Sequence, residues 1–384
     1  MNKDHTSQSC AFDVIVVGAG IMGASTAYHL AKDGVKVLLL EQFAIGHAKG
    51  SSHGPSRIIR LAYDTLDYVA LAQAAYRLWG EIEAESRQAL LTKVGGLDIG
   101  VPDALGLLGI RECYEAAGIA YDALDADGIM QRFPQFCLPQ DMIGFYQPDY
   151  SLLAADQCVS TYVAQAQQHG AQIQTNEAVR EVKIVGDGVE VMSDRGSYSA
   201  ARVVLCAGSW VQGLLAKLDL RLPLTIHKEQ ILFLKPRNPA DFMPGRFPLF
   251  IHRFPGTTSL GSGFPIHHHS APKFMIDRVG PTVSPEDSDR SLDIANIARV
   301  TAYATQMLPD LTSELVEAVS CRYTMTPDED FIIDRHPAYS QVVIASPCSG
   351  HGFKFGSVLG RILADLATQG HTAYNIDRFR LNRF

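Results

Sequence analysis

The sequence predicts an α/β fold in more than one domain, and three observations support that prediction. The 384 residues exceed the roughly 150 residues of an average domain, which favours two or three units. Residues 13–41 have the pattern of a strand, a helix and a second strand in immediate succession. Residues 223–283 form a strand-rich stretch with frequent proline and glycine. The chain is therefore expected to combine a strand–helix–strand unit with a second unit rich in strands.

The composition is that of a globular protein with a large core, because 47% of the residues are hydrophobic and 19% are charged. The 41 acidic and 33 basic residues give a net charge of −8, which argues against a general nucleic-acid binder but permits a local basic pocket. No apolar run reaches the roughly 18 residues of a membrane span, and the polar first ten residues do not resemble a signal peptide. The seven cysteines lack the spacing of a disulfide framework or a zinc site, so a cytoplasmic location is expected.

The N-terminal unit begins with the apolar run DVIVV (13–17), which is typical of a buried parallel strand. A helical pattern extends to Lys32, and a second apolar run (35–40) leads to Glu41. The turn that joins the first strand to the helix consists of Gly18, Ala19, Gly20, Ile21, Met22 and Gly23. This glycine spacing, within a unit of about 30 residues, predicts a dinucleotide site.

Each part of the turn has a physical role in such a site. Gly18 permits the tight turn, Gly20 lets the backbone approach a pyrophosphate, and Gly23 lets the helix pack closely on the strand. The N-terminus of the helix offers free N–H groups and the positive end of its dipole to the phosphates. Glu41 is placed to accept hydrogen bonds from a ribose, and it would repel the extra phosphate of NADP. These residues leave NAD and FAD open, as well as a fold of the same type without a nucleotide.

The rest of the chain alternates irregularly between helix and strand signals. Helices are expected over about 67–86, 293–307 and 356–369, and strands within 170–208 and near 317–323 and 342–346. The strand VVIAS (342–346) precedes a glycine-rich turn and is expected to return to the sheet of the first unit. The nucleotide-binding domain would then be discontinuous.

Four blocks of sequence show a family resemblance. They are the segment 18–41, GSSHGPSRIIRLAY (50–63), CRYTMTPDEDFIID (321–334), and SGHGFKFGSVLG (349–360) with the C-terminal FRLNRF. With these blocks the chain resembles the FAD-dependent amine oxidases typified by monomeric sarcosine oxidase and N-methyltryptophan oxidase. These enzymes belong to the wider glycine/D-amino-acid oxidase group. The third and fourth blocks are far more specific than the glycine-rich turn.

The resemblance implies a Rossmann-like FAD-binding domain and a second, substrate domain with a mixed or antiparallel sheet. Residues 1–90, 151–217 and 320–384 would form the first domain. Residues 91–150 and 218–319 would form the second. The resemblance also implies a monomer that binds a small amino acid with a free carboxylate and passes electrons from it to molecular oxygen.

The resemblance implies roles for individual residues as well. Cys321 matches the cysteine that carries the flavin covalently, although a cysteine is more often a buried core thiol. Arg57, Arg60 and Lys354 match residues near the flavin and the substrate carboxylate. The planar guanidinium of an arginine is suited to binding a carboxylate through two hydrogen bonds. The remaining matches at the cofactor are Ser51, Ser52, Val179, Gly350, His351 and Gly352. A structural role is an equally good interpretation of His351. For either arginine, the alternative is a surface residue in a salt bridge.

Oxidase chemistry needs a cation beside the flavin, because reduction of oxygen creates negative charge. The family places a lysine there, on a strand of the second domain, and Lys273 is the best match. The loop before Lys273 is one residue longer than the family pattern, and an ordinary surface lysine is the alternative.

Two departures from the family concern the substrate. Gly261 and Ser262 replace the tyrosine that precedes GFP, and Asp277 replaces a histidine four residues after the lysine. The pocket is therefore expected to be roomier and different in polarity, while Tyr323 is retained as a pocket wall or a core aromatic residue. Larger N-alkyl amino acids, or cyclic ones such as proline or pipecolate, fit at least as well as sarcosine. The three histidines at 267–269 are expected to form an exposed loop without a metal, because neighbouring residues on a strand alternate faces.

Three other functions remain open at the level of sequence. The first is a dehydrogenase of the same fold that passes electrons to another acceptor. The second is an NAD-dependent dehydrogenase that uses the glycine-rich unit alone. The third is a non-catalytic flavin-binding protein. The expected cluster of Arg57, Arg60 and Lys354 argues against this function, because clustered cations require an anionic ligand.

Overall fold

The computed structural model describes residues 11–287, 289 and 291–384. In chain order the strands are β1 (Phe12–Val17), β2 (Val37–Leu40), β3 (Arg57–Ile59), β4 (Leu91–Lys93), β5 (Gly96–Gly100), β6 (Asp122–Asp125), β7 (Ile143–Gln147), β8 (Ser151–Leu153), β9 (Gln172–Gln174), β10 (Val179–Val185), β11 (Gly188–Ser193), β12 (Ser197–Leu205), β13 (Thr225–Pro236), β14 (Leu249–Arg253), β15 (Leu260–Phe264), β16 (Lys273–Ile276), β17 (Leu311–Met325), β18 (Ile332–Arg335) and β19 (Val342–Ser346). The helices are α1 (Ile21–Lys32), α2 (Leu66–Ser86), α3 (Leu107–Ala116), α4 (Ala126–Arg132), α5 (Ala155–Gln168), α6 (Val211–Leu215), α7 (Ile294–Met307) and α8 (Gly356–Thr368). Among the described residues, no helix is both long enough and apolar enough to span a membrane.

The first sheet has a parallel centre in the order β9-β2-β1-β12-β19. Leu205 of β12 pairs with Ile344 of β19, so the predicted return of the late strand to this sheet is confirmed. The antiparallel strands β10, β11 and β18 extend the sheet. Helices α1, α5 and α8 cover one face and α6 the other, which explains why the central strands are almost entirely buried. The predicted Rossmann-like, discontinuous domain is therefore confirmed.

The second sheet is mixed, with the order β17-β13-β16-β15-β14-β5-β7-β6. Its strands pair antiparallel, except that β14 runs parallel to β5. One face packs Phe250 and Phe274 against Val300 and Ala304 of α7. This confirms the predicted second sheet, whereas the boundaries of the two domains stay a prediction. A small antiparallel sheet of β3, β8 and β4 lies apart from both.

The opposite face of the second sheet faces the first domain. Because side chains alternate along a strand, the residues on this face are two apart in sequence. They are Ile251 and Arg253 of β14, Leu260, Ser262 and Phe264 of β15, Lys273 and Met275 of β16 with Asp277 just beyond it, and Cys321 and Tyr323 of β17. The alternation therefore brings residues of four strands to one surface.

Gly23 shows how tightly α1 packs on the glycine-rich turn. A Cβ at this position would lie 1.8 Å from the carbonyl oxygen of Gly18 and 3.3 Å from the Cβ of Cys206. Gly18 itself has φ +98°, and a Cβ at this position would lie 2.5 Å from the carbonyl oxygen of Cys206. The close approach of helix and strand that the spacing predicted is thus present at both glycines.

Replacement of Gly23 by alanine is expected to lower the free energy of unfolding by about 3 kcal/mol, because backbone must move to admit the methyl group. Gly80→Ala is the matched control, since Gly80 is exposed inside α2 and a Cβ there meets nothing within 4 Å. The control should gain about 0.5–1 kcal/mol from helix propensity. Thermal or urea unfolding of both variants measures the difference, and equal effects would contradict the packing argument.

Candidate active site

A cavity of about 750 Å³ lies between the two large sheets. It runs from the glycine-rich turn, past the ends of β1, β2 and β12, to the inner face of the second sheet. Every site residue predicted from the sequence lines it except Gly23, which lies behind the turn; those that line it are Gly18, Ala19, Gly20, Ile21, Met22, Glu41, Ser51, Ser52, Arg57, Arg60, Val179, Lys273, Cys321, Tyr323, Gly350, His351, Gly352 and Lys354. A volume of this size is in the range of cofactor and ligand sites.

The nucleotide end of the cavity is built around the first turn of α1. The backbone N–H of Ile21 donates to Ser52 Oγ at 3.1 Å, and no acidic residue occupies this turn. The buried Glu41 accepts from the backbone N–H of Ala19 at 2.7 Å and of Phe43 at 2.9 Å. Backbone N–H groups, a positive helix end and a fixed carboxylate are the groups that hold a pyrophosphate and a ribose.

Arg57 and Lys273 bring two cations to the middle of the cavity. The Lys273 Nζ donates to the carbonyl oxygen of Ser56 at 2.8 Å and to its Oγ at 2.9 Å. Arg57 donates to the carbonyl oxygens of Ser51, His53 and Ser56. Lys273 is 4% exposed, so it is not the surface lysine of the alternative reading. Burial, with the nearby Arg57 guanidinium, lowers the pKa of Lys273 well below its usual value.

Cys321 and Tyr323 lie on the same face of β17. Cys321 is buried, and burial raises the pKa of its thiol to about 12. Ser51 Oγ donates to the carbonyl oxygen of Arg322 at 2.6 Å and so ties this strand to the first domain. Gly350 has φ +77°, and a Cβ there would lie 2.6 Å from the Tyr323 ring, so only glycine leaves the ring its place.

Lys354 is another buried cation that lines the cavity. Its Nζ donates to Tyr63 Oη at 3.0 Å and to the carbonyl oxygen of His351 at 2.7 Å. It is 5% exposed and forms no ion pair with a carboxylate among the described residues. Burial and the charge of Arg60 lower the pKa of Lys354 well below its usual value. The Trp79 Nε1–H donates to the carbonyl oxygen of Lys354 at 2.7 Å and holds its backbone in place.

Arg60 and His351 support this cation in different ways. Arg60 is buried, lies 3.6 Å from Asp98 Oδ1 and donates to the carbonyl oxygen of Ala62, so its charge is partly compensated. The His351 ring stacks on Phe331, and its Nδ1 lies 3.2 Å from Tyr63 Oη. Burial lowers the pKa of His351 well below its usual value, so the ring is neutral at physiological pH. This geometry favours the structural reading of His351, which positions Tyr63.

One expectation about the pocket needs correction. Gly261 does not widen the cavity, because it faces the other side of the sheet, where a Cβ would lie 2.2 Å from the hydroxyl oxygen of Tyr303. Ser262 does line the cavity, as expected. Residues 267–269 lie outside the strands, as predicted; His268 is exposed, His267 and His269 are partly buried, and His269 Nε2 lies 2.9 Å from Glu317. The described residues contain no cluster of three metal-ligating side chains.

Sequence reasoning missed several residues of the site. Tyr63 and Ser56 belong to the block 50–63, so their neighbours could have indicated them. Asp98 and Arg253 lie outside all four blocks, and no local signal marks them. Arg253 lines the cavity and Asp98 lies behind it beside Arg60, in positions set by the pairing of β14 with β5, which joins residues far apart in sequence.

The comparisons with known proteins agree with this geometry. Residues 13–366 match the family described as FAD dependent oxidoreductase. The chain belongs to this family. It is 36% identical over 384 residues to the monomeric sarcosine oxidase of Bacillus sp. (strain NS-129), a match that covers 98% of this chain and 97% of that one. It is 30% identical over 379 residues to the N-methyl-L-tryptophan oxidase of Escherichia coli (strain SMS-3-5 / SECEC), covering 97% and 99% of the two chains.

A solved structure of NikD, described as an unusual amino acid oxidase essential for nikkomycin biosynthesis, has the same fold. Its TM-score is 0.86 at 27% identity, over 96% of this chain and 97% of that one. The predicted family and the predicted cofactor, FAD, are thus confirmed. The alternative interpretation as an NAD-dependent dehydrogenase is wrong. The residues present fit FAD, because the glycine-rich turn, the first turn of α1 and Glu41 line one end of a continuous cavity and Cys321 lines its middle.

Proposed function

We propose that this protein oxidises the C–N bond of a secondary amino acid to an imine and reduces oxygen to hydrogen peroxide. The observation that carries the proposal is the buried ammonium of Lys354, which lacks a carboxylate partner among the described residues. A buried cation without a counterion is costly, and an anionic guest removes that cost. The carboxylate of an amino acid is a guest of suitable size and charge.

The substrate carboxylate binds Lys354, with the guanidinium of Arg60 as a second donor and Tyr63 fixing the direction of the ammonium. This contact orients the carbon next to nitrogen within the cavity. The loss of rotational and translational entropy needed for alignment then occurs on binding and not in the reaction step. FAD, held by the glycine-rich turn and Glu41, would supply the redox chemistry, as acceptor of a hydride equivalent and donor of two electrons to oxygen. No side chain needs to act as general base if the amine loses its proton to solvent. Water hydrolyses an open-chain imine, whereas a cyclic imine tautomerises.

Lys273 provides the positive charge for the oxygen step. Its ammonium is held by Ser56 and lies 3.8 Å from the centre of the Phe264 ring, so it is fixed before oxygen arrives. A fixed cation stabilises developing negative charge without reorganisation, which is the role it would have in an oxidase.

The substrate class follows from the relatives and from this pocket. The relatives are named for sarcosine and N-methyltryptophan, which are both N-methyl amino acids. Ser262 and Met275 face each other across β15 and β16 and line the cavity without filling it with an aromatic ring. We include larger N-alkyl amino acids and cyclic ones such as proline or pipecolate among the substrates. The protein would act as a monomer in the cytoplasm.

We further propose that FAD is attached covalently to Cys321, which lines the cavity and lies near Arg57 and Lys273. For Cys321→Ser, all yellow colour is expected to leave the protein on acid precipitation, whereas the native chain keeps it in the pellet. The control is Cys137→Ser, because Cys137 is exposed and is not among the residues that line the cavity. Visible spectra of pellet and supernatant measure the result. Colour in the pellet of the Cys321 variant, or its complete release from the native protein, would contradict the attachment.

A further inference from the structure

We infer that the carboxylate of Asp277 binds a second, positively charged group of the substrate, so that the enzyme prefers amino acids with a basic side chain. The inference rests on the proposed function, because it assumes that the α-carboxylate binds Lys354. Asp277 follows β16 on the same face as Lys273 and Met275 and lines the cavity. Four residues along a strand span about 13 Å, so Asp277 lies at the end away from Lys273.

One oxygen of Asp277 has only a long ion-pair contact. Oδ1 accepts from the backbone N–H of Leu260 at 2.7 Å, which fixes the carboxylate. Oδ2 receives no hydrogen bond from the residues the structure describes, and the nearest guanidinium, that of Arg278, has its Nε 3.9 Å away. Arg278 instead pairs with Glu329 at 2.9 Å and donates to the carbonyl oxygen of Thr258. Its charge is therefore already compensated.

The charges around Asp277 favour a cation. Glu229 on β13 is fully buried, and its Oε2 lacks a hydrogen-bond partner within the described part of the chain. The Arg278 guanidinium is within ion-pairing distance of both Asp277 and Glu329, and Glu229 adds a further carboxyl group near Asp277. The other nearby cation of this face, Arg253, pairs in register with Leu260, two strands from Asp277 and about 10 Å away. A buried excess of negative charge is stabilised by a cationic guest.

Asp277 shares no hydrogen bond or ion pair with Lys354 among the described residues. The connection between them runs from Lys354 through His351, whose Nε2 lies 3.3 Å from the carbonyl oxygen of Glu329, and then through Arg278 to Asp277. Three residues, His351, Glu329 and Arg278, thus separate Asp277 from Lys354, whereas a single carbon separates the amine from the carboxylate of one amino acid. The group at Asp277 is therefore the end of a side chain and not the reacting amine.

The test uses two ligands of equal chain length, hexanoate and 6-aminohexanoate, titrated into the holoenzyme at neutral pH while the visible spectrum of the flavin is recorded. The native protein is expected to bind 6-aminohexanoate at least roughly tenfold more tightly, and Asp277→Asn to lose that preference while its affinity for hexanoate changes less than about threefold. Asp277→Glu should restore part of the preference. Asp103→Asn, on an exposed loop outside the cavity, is the matched control and should bind both ligands as the native protein does.

Turnover extends the test to substrates. Nα-methyl-lysine should exceed N-methyl-norleucine in kcat/KM by roughly tenfold for the native enzyme and by much less for the Asp277→Asn variant. The role of Asp277 is wrong, and the proposed function stands, if the native protein binds hexanoate but prefers neither 6-aminohexanoate nor Nα-methyl-lysine over its uncharged counterpart. The same holds if the Asp277→Asn variant keeps the preference. If hexanoate fails to bind at all, the carboxylate site at Lys354 is wrong, and the proposed function fails with it.

Discussion

Lys354→Met is expected to lower kcat/KM for N-methyl amino acids by roughly 10²–10³-fold, because the substrate carboxylate loses its buried, charged partner. The protein should remain folded, since the substitution removes a buried ammonium that no described carboxylate neutralises. The loss should appear in the rate of flavin reduction measured without oxygen, and in the affinity for a simple carboxylate such as hexanoate.

The control for this variant is Lys235→Met. Lys235 pairs with Glu314 on the surface, where both side chains are more than half exposed, so the substitution should change activity and stability little. Equal activity of the Lys354 variant and the native protein would show that the carboxylate binds elsewhere, which removes the observation that carries the proposed function.

Lys273→Met is expected to slow the reaction with oxygen by roughly 10²–10³-fold while leaving the reduction of flavin by substrate nearly unchanged. The physical reason is that Lys273 is fixed by Ser56 beside the cavity and shares no hydrogen-bond partner with Lys354 among the described residues. Rapid mixing separates the two half-reactions. Lys354→Met, which should impair only the first of them, serves as the reciprocal control.

The Lys273→Met variant also decides between an oxidase and the main alternative, a dehydrogenase of the same fold. A dehydrogenase of this fold would pass its electrons to another acceptor and would not depend on a cation placed for oxygen. If peroxide formation by the Lys273 variant equals that of the native protein, oxygen is not the acceptor for which this site is built. A non-catalytic flavin-binding protein is the remaining alternative, and it predicts no reduction by any amino acid.

The parts of the site that could be predicted from sequence are those fixed by short-range geometry. The turn from Gly18 to Gly23 is one such part, because the close approach of helix and strand leaves no space for side chains at set positions. The residues at 350–354 are another, because one turn places Gly350, His351 and Lys354 around Tyr63 and Tyr323. The resemblance named these residues, while their contacts became visible only in the structure.

The parts that could not be predicted depend on long-range pairing. Lys273 contacts Ser56 across 217 residues of sequence, and Arg60 lies beside Asp98 of another sheet. The side of the sheet that Gly261 faces depends on strand register, since a shift of one residue exchanges the two faces. The outer part of β17 was missed for a similar reason, because this edge strand is exposed there and lacks an apolar run.

The most direct test of the central claim is the visible spectrum of the purified protein during anaerobic addition of a secondary amino acid, followed by oxygen. A panel of sarcosine, larger N-methyl amino acids, proline and pipecolate should include at least one compound that bleaches the flavin absorbance. Oxygen should then restore the absorbance and yield one hydrogen peroxide per cycle. A protein that binds FAD but is bleached by none of these compounds would contradict the assignment as an oxidase of secondary amino acids.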